Sequence, residues 1–254
     1  MKIVIAGYGF VGRAVENALK RHSKIQLLID DPALGSTNEE TDVDGVVVCV
    51  ATPAREDGTC DTTHVNEVFT KYGGTKYLIK SAVDPVWLKW NANAFQGSYT
   101  YSPEFLRGSH AHGKPEEEFF NQEFAIYGGD DCRWWDEIFK AVLPNLSEVR
   151  YITLEQAAFA KYLENTFLAT KVTFFNEMYG IYKECGFEGF DAMVEAITLD
   201  PRIGKSHTQV PGPDGKFGFG GHCLPKDLAA LRSLSKETPL LDTVTDINYG
   251  IRRE

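Results

Sequence analysis

Six residues near the N-terminus constrain the fold more than any others. Gly7-Tyr8-Gly9-Phe10-Val11-Gly12 follows directly on the apolar run Met1-Lys2-Ile3-Val4-Ile5-Ala6 and leads into a helical stretch from Arg13 to about Arg21. A second apolar run, Ile25 to Ile29, ends at Asp30-Asp31. Strand, G-x-G-x-x-G, helix, strand and acid in that order are the parts of a dinucleotide-binding unit. The glycines allow the tight turn and the close approach to pyrophosphate, the helix N-terminus holds the phosphates, and a carboxylate takes the ribose hydroxyls. A glycine fingerprint alone is weak evidence, because a structural glycine turn looks the same; the strand, helix and acid around it carry the reading. Gly7, Gly9, Phe10, Val11 and Gly12 are the expected cofactor turn. Asp30 directly ends its strand and is the expected ribose acid, and its charge would repel a 2′-phosphate, so NAD is expected rather than NADP.

Downstream, apolar runs at Gly45 to Val50, Lys76 to Ile79 and Phe124 to Tyr127 alternate with helix-like or polar segments, the pattern of a largely parallel sheet. After about residue 150 the pattern turns helical. Thr153-Leu154-Glu155-Gln156 reads as a capping box, and no proline or glycine interrupts the chain from there to Gly180, with Gly186 a plausible stop. A helix of ~30 residues would be ~45 Å long. The expected fold is α/β: an N-terminal Rossmann-type parallel sheet over residues 1–150, then an all-α central domain over residues 151–254 with a long spine helix. Ala157, Ala158, Phe159, Phe167, Ala169 and Phe174 cover more of that helix than one compact domain should bury, so a homodimer is expected.

Near the end of the chain, Phe217-Gly218-Phe219-Gly220-Gly221-His222-Cys223-Leu224-Pro225-Lys226-Asp227 puts a cysteine on a glycine-rich loop ahead of a helix N-terminus. Pro225 suits a first helical turn. Cys223 would then lie beside free N–H groups and the positive end of the helix dipole, with Lys226 close in sequence, and all three favour a thiolate nucleophile. The glycines would let a ligand approach the backbone. The bland alternative is a turn before a helix with a buried cysteine.

The formal net charge of −10 over 254 residues argues against a nucleic-acid or anionic-membrane partner. No apolar run reaches membrane-spanning length, and the N-terminus is strand-like rather than a signal peptide. Cys49, Cys60, Cys132, Cys185 and Cys223 are scattered, and His110-x-His112 reads as solvated surface, so neither a disulfide framework nor a metal site is expected. A soluble, cytoplasmic protein is the expectation.

On the long helix, Lys161 and Asn165 share a face; alone they read as a solvated stripe. Together with Glu104 in Ser102-Pro103-Glu104-Phe105-Leu106-Arg107 they complete a set that resembles the UDP-glucose/GDP-mannose dehydrogenase family. The matches run in family order: the Gly7-to-Gly12 turn, Val50-Ala51-Thr52-Pro53 with Glu56-Asp57-Gly58, Lys80-Ser81, Ser102 to Arg107, Lys161 to Lys171, Asp200-Pro201-Arg202-Ile203-Gly204, and the cysteine loop. The resemblance implies oxidation of a nucleotide sugar to a uronic acid with two NAD. In it Cys223 is the nucleophile that forms a thiohemiacetal and then a thioester, and Glu104 is the general base for hydrolysis. Lys161 and Asn165 stabilise oxyanion charge, with Asp227 acting beside Lys161 through an ordered water. It further implies substrate contacts from Glu104, Phe105, Leu106, Arg107, Lys161, Asn165, Arg202, Phe219 and Gly220. Thr52, Pro53, Lys80 and Ser81 fall in the loops around NAD.

Departures accompany the matches. Gly108 replaces a family glutamate, Ala82 stands where many members have a water-ordering threonine, and the chain between Asp30 and Gly45 is short. The family's C-terminal, UDP-binding domain would lie beyond Glu254, so a truncated form with a weak nucleotide grip, of about millimolar affinity, is expected, along with a possible separate chain supplying that domain. Three functions stay open: a compact nucleotide-sugar 6-dehydrogenase, a two-domain β-hydroxyacid-type dehydrogenase, and a catalytically impaired NAD-binding remnant acting with a partner.

Overall fold

The computed structural model describes residues 1–92, 94–106 and 114–252, and its contacts cluster into two compact units, 1–161 and 162–254. The first unit is built on strands β1 (Lys2–Ala6), β2 (Gln26–Asp30), β3 (Gly45–Val48), β4 (Lys76–Ile79), β5 (Ser98–Tyr101), β6 (Phe124–Gly129) and β7 (Glu148–Ile152). They form one sheet in the order β2-β1-β3-β4-β5-β6-β7, parallel throughout except between β5 and β6. Helices α1 (Phe10–Leu19), α2 (Thr63–Lys71), α3 (Pro85–Asn91), α4 (Pro115–Phe120) and α5 (Cys132–Lys140) connect the strands.

Strand alternation decides which helices cover which face. Ile3, Ile5, Val47 and Leu78 point to one side and share a core with residues of α1, α4 and α5, Trp135 and Phe139 among them. Val4, Ala6, Val46, Val48 and Ile79 point to the other, against Phe69 and Leu88 of α2 and α3 and against Ala157 and Ala158. Both faces are buried, which is why the central strands read as continuous apolar runs.

The short link between β2 and β3 has a structural outcome. Where a crossover helix would stand, residues 31–44 make only a 3-10 turn, Pro32–Leu34, closed by Gly35 in the left-handed conformation. Strand β2 is therefore the sheet's edge.

Helix α6 (Leu154–Glu184) starts with the expected capping box: Thr153 Oγ1 accepts from Gln156 N at 3.3 Å and Gln156 Oε1 from Thr153 N at 3.0 Å. It ends just before Gly186, whose φ of 75° terminates it. Its first two turns pack on the sheet and the remainder belongs to the second unit. That unit adds α7 (Phe190–Ile197), α8 (Cys223–Ser233) and α9 (Pro239–Ile251). Ala169, Phe219, Leu228 and Val244 form one small core and Phe175, Phe190, Val194 and Val210 another. Among the described residues, no helix is long and apolar enough to cross a membrane.

Candidate active site

The N-terminal turn is closed by backbone. Gly7 adopts φ +87°, donates its N–H to Asp30 O at 2.9 Å, and leaves no room for a Cβ, which would lie 2.7 Å from the Cys49 and Val50 backbone. A Cβ on Gly12 would lie 2.1 Å from Gly7 O, so helix and strand meet at van der Waals contact there. Gly9 differs: a Cβ there would meet nothing within 4 Å. It caps α1 without a side-chain bond, and the first turn of α1 carries no acidic residue. The N–H groups of Phe10, Val11 and Gly12 have no intrahelical partner. Phe10 is exposed, and Val11 packs partly against the core.

The two acids after β2 have separate fates. Asp30 is buried; its carboxylate accepts from Lys71 Nζ at 2.9 Å, Tyr72 OH at 2.7 Å and Asn38 N at 3.2 Å. Burial alone would raise its carboxyl, but the hydrogen bonds from Lys71 and Tyr72 hold it below the ordinary value. Asp31 is half-buried beside the glycine turn and accepts from Tyr8 N at 2.6 Å and, more weakly, from Leu34 N at 3.3 Å. The sequence singles out Asp30, whose backbone carbonyl meets the glycine turn; the carboxylate that meets it is that of Asp31.

The loops at the carboxyl ends of β3, β4 and β5 are stitched by the expected residues. Thr52 Oγ1 donates to Ala82 O at 2.7 Å, and Ser81 Oγ to Val50 O at 2.7 Å. Lys80 is buried and donates to Ser102 Oγ at 3.2 Å, with its ammonium 3.5 Å from Glu104 Oε2. Glu104 Oε1 accepts from Phe105 N and Leu106 N at 2.9 and 3.2 Å. Burial pushes the nearby Cys49 thiol up to about 12, with Lys80 opposing, so that cysteine stays protonated near neutrality. Pro53 is exposed, Phe105 and Leu106 are half-buried, and the Lys161 ammonium lies 5.4 Å from the Phe105 ring centroid. Arg107 and Gly108 lie outside the described residues.

In the second unit Cys223 is the first residue of α8 and is exposed, with Pro225 in the first turn. One turn on, Asp227 is 1% exposed. It accepts from Asn165 Nδ2 at 2.5 Å and is ion-paired with Lys226, the lysine expected from the sequence beside the thiol. Arg202 is exposed and forms a two-point pair with Asp200, Nε to Oδ1 at 3.0 Å and Nη2 to Oδ2 at 2.5 Å. Its turn is held by a residue the sequence reading gave no role: Lys171 Nζ donates to Ile203 O and Gly204 O, both at 2.8 Å. Burial lowers the Lys171 ammonium's proton affinity. Phe219 is buried in the unit's core, and the space over Gly220 is taken by Arg252, a Cβ there lying 2.0 Å from Arg252 Nη2.

A mostly parallel sheet opened by G-x-G-x-x-G, followed by a helical unit with a cysteine at a helix start one turn from a buried Asn165–Asp227 pair that Lys226 neutralises, defines a Rossmann-type protein with an appended helical domain. The central-domain signature of the UDP-glucose/GDP-mannose dehydrogenase family matches residues 155–249. The UDP-glucose 6-dehydrogenase of Rickettsia bellii is 32% identical over 78% of this chain and 47% of its own length. The solved UDP-glucose dehydrogenase of Pyrobaculum islandicum superposes with a TM-score of 0.79 at 25% identity, covering 98% of this chain and 68% of that one. The chain belongs to the UDP-glucose/GDP-mannose dehydrogenase family. It spans about half the length of the curated relatives it matches. In fold alone it is also similar to the 3-hydroxyisobutyrate dehydrogenase of Mycobacterium tuberculosis, 16% identical with a TM-score of 0.71, covering 100% of this chain and 94% of that one.

Proposed function

We propose that the chain carries the cofactor-binding and cysteine-bearing parts of an NAD-dependent nucleotide-sugar 6-dehydrogenase. The observation that most supports this is the second unit's polar cluster. A buried carboxylate in a small helical unit costs stability unless fully paired, and Asp227 is paired with Asn165 and Lys226 one turn from an exposed cysteine at the first helical position.

The first unit fits NAD: the open position at Gly9 and the free N–H groups of α1 suit a pyrophosphate. Asp31, rather than the consumed Asp30, is the acid for the ribose hydroxyls. NAD, when bound, supplies the hydride acceptor for both oxidations. Between them Cys223 Sγ adds to the aldehyde carbon, and it then holds that carbon as a thioester. Glu104 takes a proton from the water that cleaves the thioester, and Lys161 and Asn165 stabilise the oxyanion, with Asp227 fixing Asn165. Arg202 is the candidate for substrate phosphate, while Phe219 and Gly220 act through the shape of the cysteine loop.

The homodimer is proposed on a narrower surface than the sequence suggests. Ala157, Ala158 and Ala169 are buried within the chain's own packing. Leu163, Phe167, Phe174 and Ile181 are exposed, 57%, 63%, 55% and 49% respectively, and at about 100° per residue they fall on one stripe of α6. Contiguous apolar surface of this kind marks an interface. A strict monomer in light scattering at micromolar concentration overturns the dimer.

NADH stoichiometry tests the chemistry. Two NADH per UDP-glucose or related sugar are expected. One NADH from a small hydroxyacid instead selects the two-domain dehydrogenase reading.

A further inference from the structure

The loop ahead of Cys223 has few side chains of its own to hold it, yet its backbone is closely tied. Asn248 on α9 reads both polar groups of one residue, its Oδ1 accepting from Phe219 N at 2.7 Å and its Nδ2 donating to Phe219 O at 3.1 Å. Asn176 on α6 accepts from Gly218 N at 2.9 Å and is itself anchored by donating to Val172 O at 2.8 Å. Arg252, just past α9, spreads its guanidinium over the same stretch. Its Nη1 donates to Phe217 O at 3.2 Å and Gly218 O at 3.5 Å, and its Nη2 to Asp214 Oδ2 at 2.7 Å.

The glycines explain why this is possible. A Cβ on Gly218, where φ is +70°, would lie 2.4 Å from Asn248 Oδ1, and one on Gly220 would lie 2.0 Å from Arg252 Nη2. Both positions are bare because the side chains of Asn248 and Arg252 occupy the space. Gly221 is different, since nothing lies within 4 Å of a Cβ there. Only that last glycine before His222 and Cys223 leaves room for a ligand.

We propose that Asn248 and Arg252, with Asn176, are positioning residues for Cys223. They fix the backbone from Phe217 to Gly220 and so set where α8 begins and where the Cys223 sulfur stands. None of them touches reacting atoms; they act through the loop. The inference rests on the proposed role of Cys223 as nucleophile. Its physical ground is that a reacting group displaced by about 1 Å can lose on the order of 10²-fold in rate.

The test uses the whole 254-residue chain, with Asn248→Ala and Arg252→Ala, and with Asn248→Asp, which keeps the bulk and the acceptor for Phe219 N, and Arg252→Lys, which keeps the charge, as milder changes. Iodoacetamide labelling mapped by mass spectrometry gives the Cys223 rate relative to Cys185, an exposed thiol in the same molecule. Both alanine variants are expected to change that ratio about tenfold, and the milder variants less, while NAD affinity stays within twofold. In turnover, kcat should fall at least tenfold with KM for NAD unchanged, and aldehyde should escape, so that NADH per sugar drops from two toward one. An unchanged labelling ratio in folded variants overturns the inference, as does a parallel loss of NAD binding and labelling at both thiols, which marks a merely structural role. Should the alanine variants not fold, the milder pair decides by the same ratio. Cys223→Ala separates the two levels: if it still yields two NADH per sugar, the reading of the nucleophile fails, whatever the loop variants do.

Discussion

The molecule contains two glycine-rich loops that each lead into a helix, and they are closed in opposite ways. Around Gly7 and Gly12 the missing side chains are replaced by backbone: the Cys49–Val50 peptide over the first and Gly7 O over the second. Around Gly218 and Gly220 they are replaced by the ends of two side chains, Asn248 and Arg252. Backbone packed on backbone cannot yield, whereas a side chain can rotate away. Each loop keeps one glycine open, Gly9 and Gly221, and in each it is the position from which a ligand can reach the following helix start. The same composition thus gives one loop closed by backbone and one held in place by side chains.

The largest expected effect separates the loops by function. Cys223→Ala should lower carboxylate formation on the order of a thousandfold or more and leave NAD binding intact; calorimetry beside turnover assays checks both, and a lost NAD affinity would break the division of labour. Next, the backbone and side-chain closures predict unequal tolerance. Gly12→Ala should destabilise by roughly 3 kcal/mol or more, because a backbone oxygen must move, while Gly220→Ala should cost about 1 kcal/mol or less as Arg252 swings aside. Equal shifts in chemical denaturation of the two variants would erase the contrast.

The acids flanking the first loop sharpen it further. Asp30→Ala should cost about 2 kcal/mol by stranding Lys71 and Tyr72, whereas Asp31→Ala should cost about 1 kcal/mol by freeing the N–H groups of Tyr8 and Leu34 and weaken NAD about tenfold; a tenfold loss of NAD affinity in Asp30→Ala alone would favour Asp30 as the ribose acid. The smallest effect is in pH. Because the folded Asp30 carboxyl lies below its ordinary value, its contribution is complete above ~pH 4 and fades as pH falls toward the lower folded value. Lys71→Met should therefore shrink the stability difference between pH 7 and pH 3 without changing its sign. A larger acid sensitivity in the variant would contradict the pairing.

Much of the first loop was legible because its closing partners come from strands already readable as apolar runs, and because the G-x-G-x-x-G spacing has a mechanical meaning. The capping box at Thr153 and the end of α6 before Gly186 were legible for a similar reason: local hydrogen bonds decide them. The pairing of the Asp30 carboxylate is not legible: it depends on Lys71 and Tyr72, some forty residues downstream, and no spacing rule says which of two adjacent carboxylates they will take. Asn248 and Arg252 escaped notice likewise, since an asparagine and an arginine on a C-terminal helix look like ordinary surface until the loop's backbone is seen against them. β5 and β7 were also not anticipated. β5 is a polar-aromatic run, Ser98-Tyr99-Thr100-Tyr101, and β7 alternates charge with apolar residues, so neither shows the continuous apolar signal of the central strands.

The shortened link after β2 bears on how the protein behaves in a crowd of its own kind. An edge strand offers a row of free amide and carbonyl groups to any passing chain, which is the usual starting point for strand addition and aggregation. Here the chain folds back over part of that row: Asp31 N donates to Ser36 O, Ser36 N returns the bond to Asp31 O, and Ser36 Oγ reaches Ile29 O. The seal covers the end nearest the glycine turn, so self-association through β2 would have to begin at Gln26 and Leu27, the opposite end of the strand.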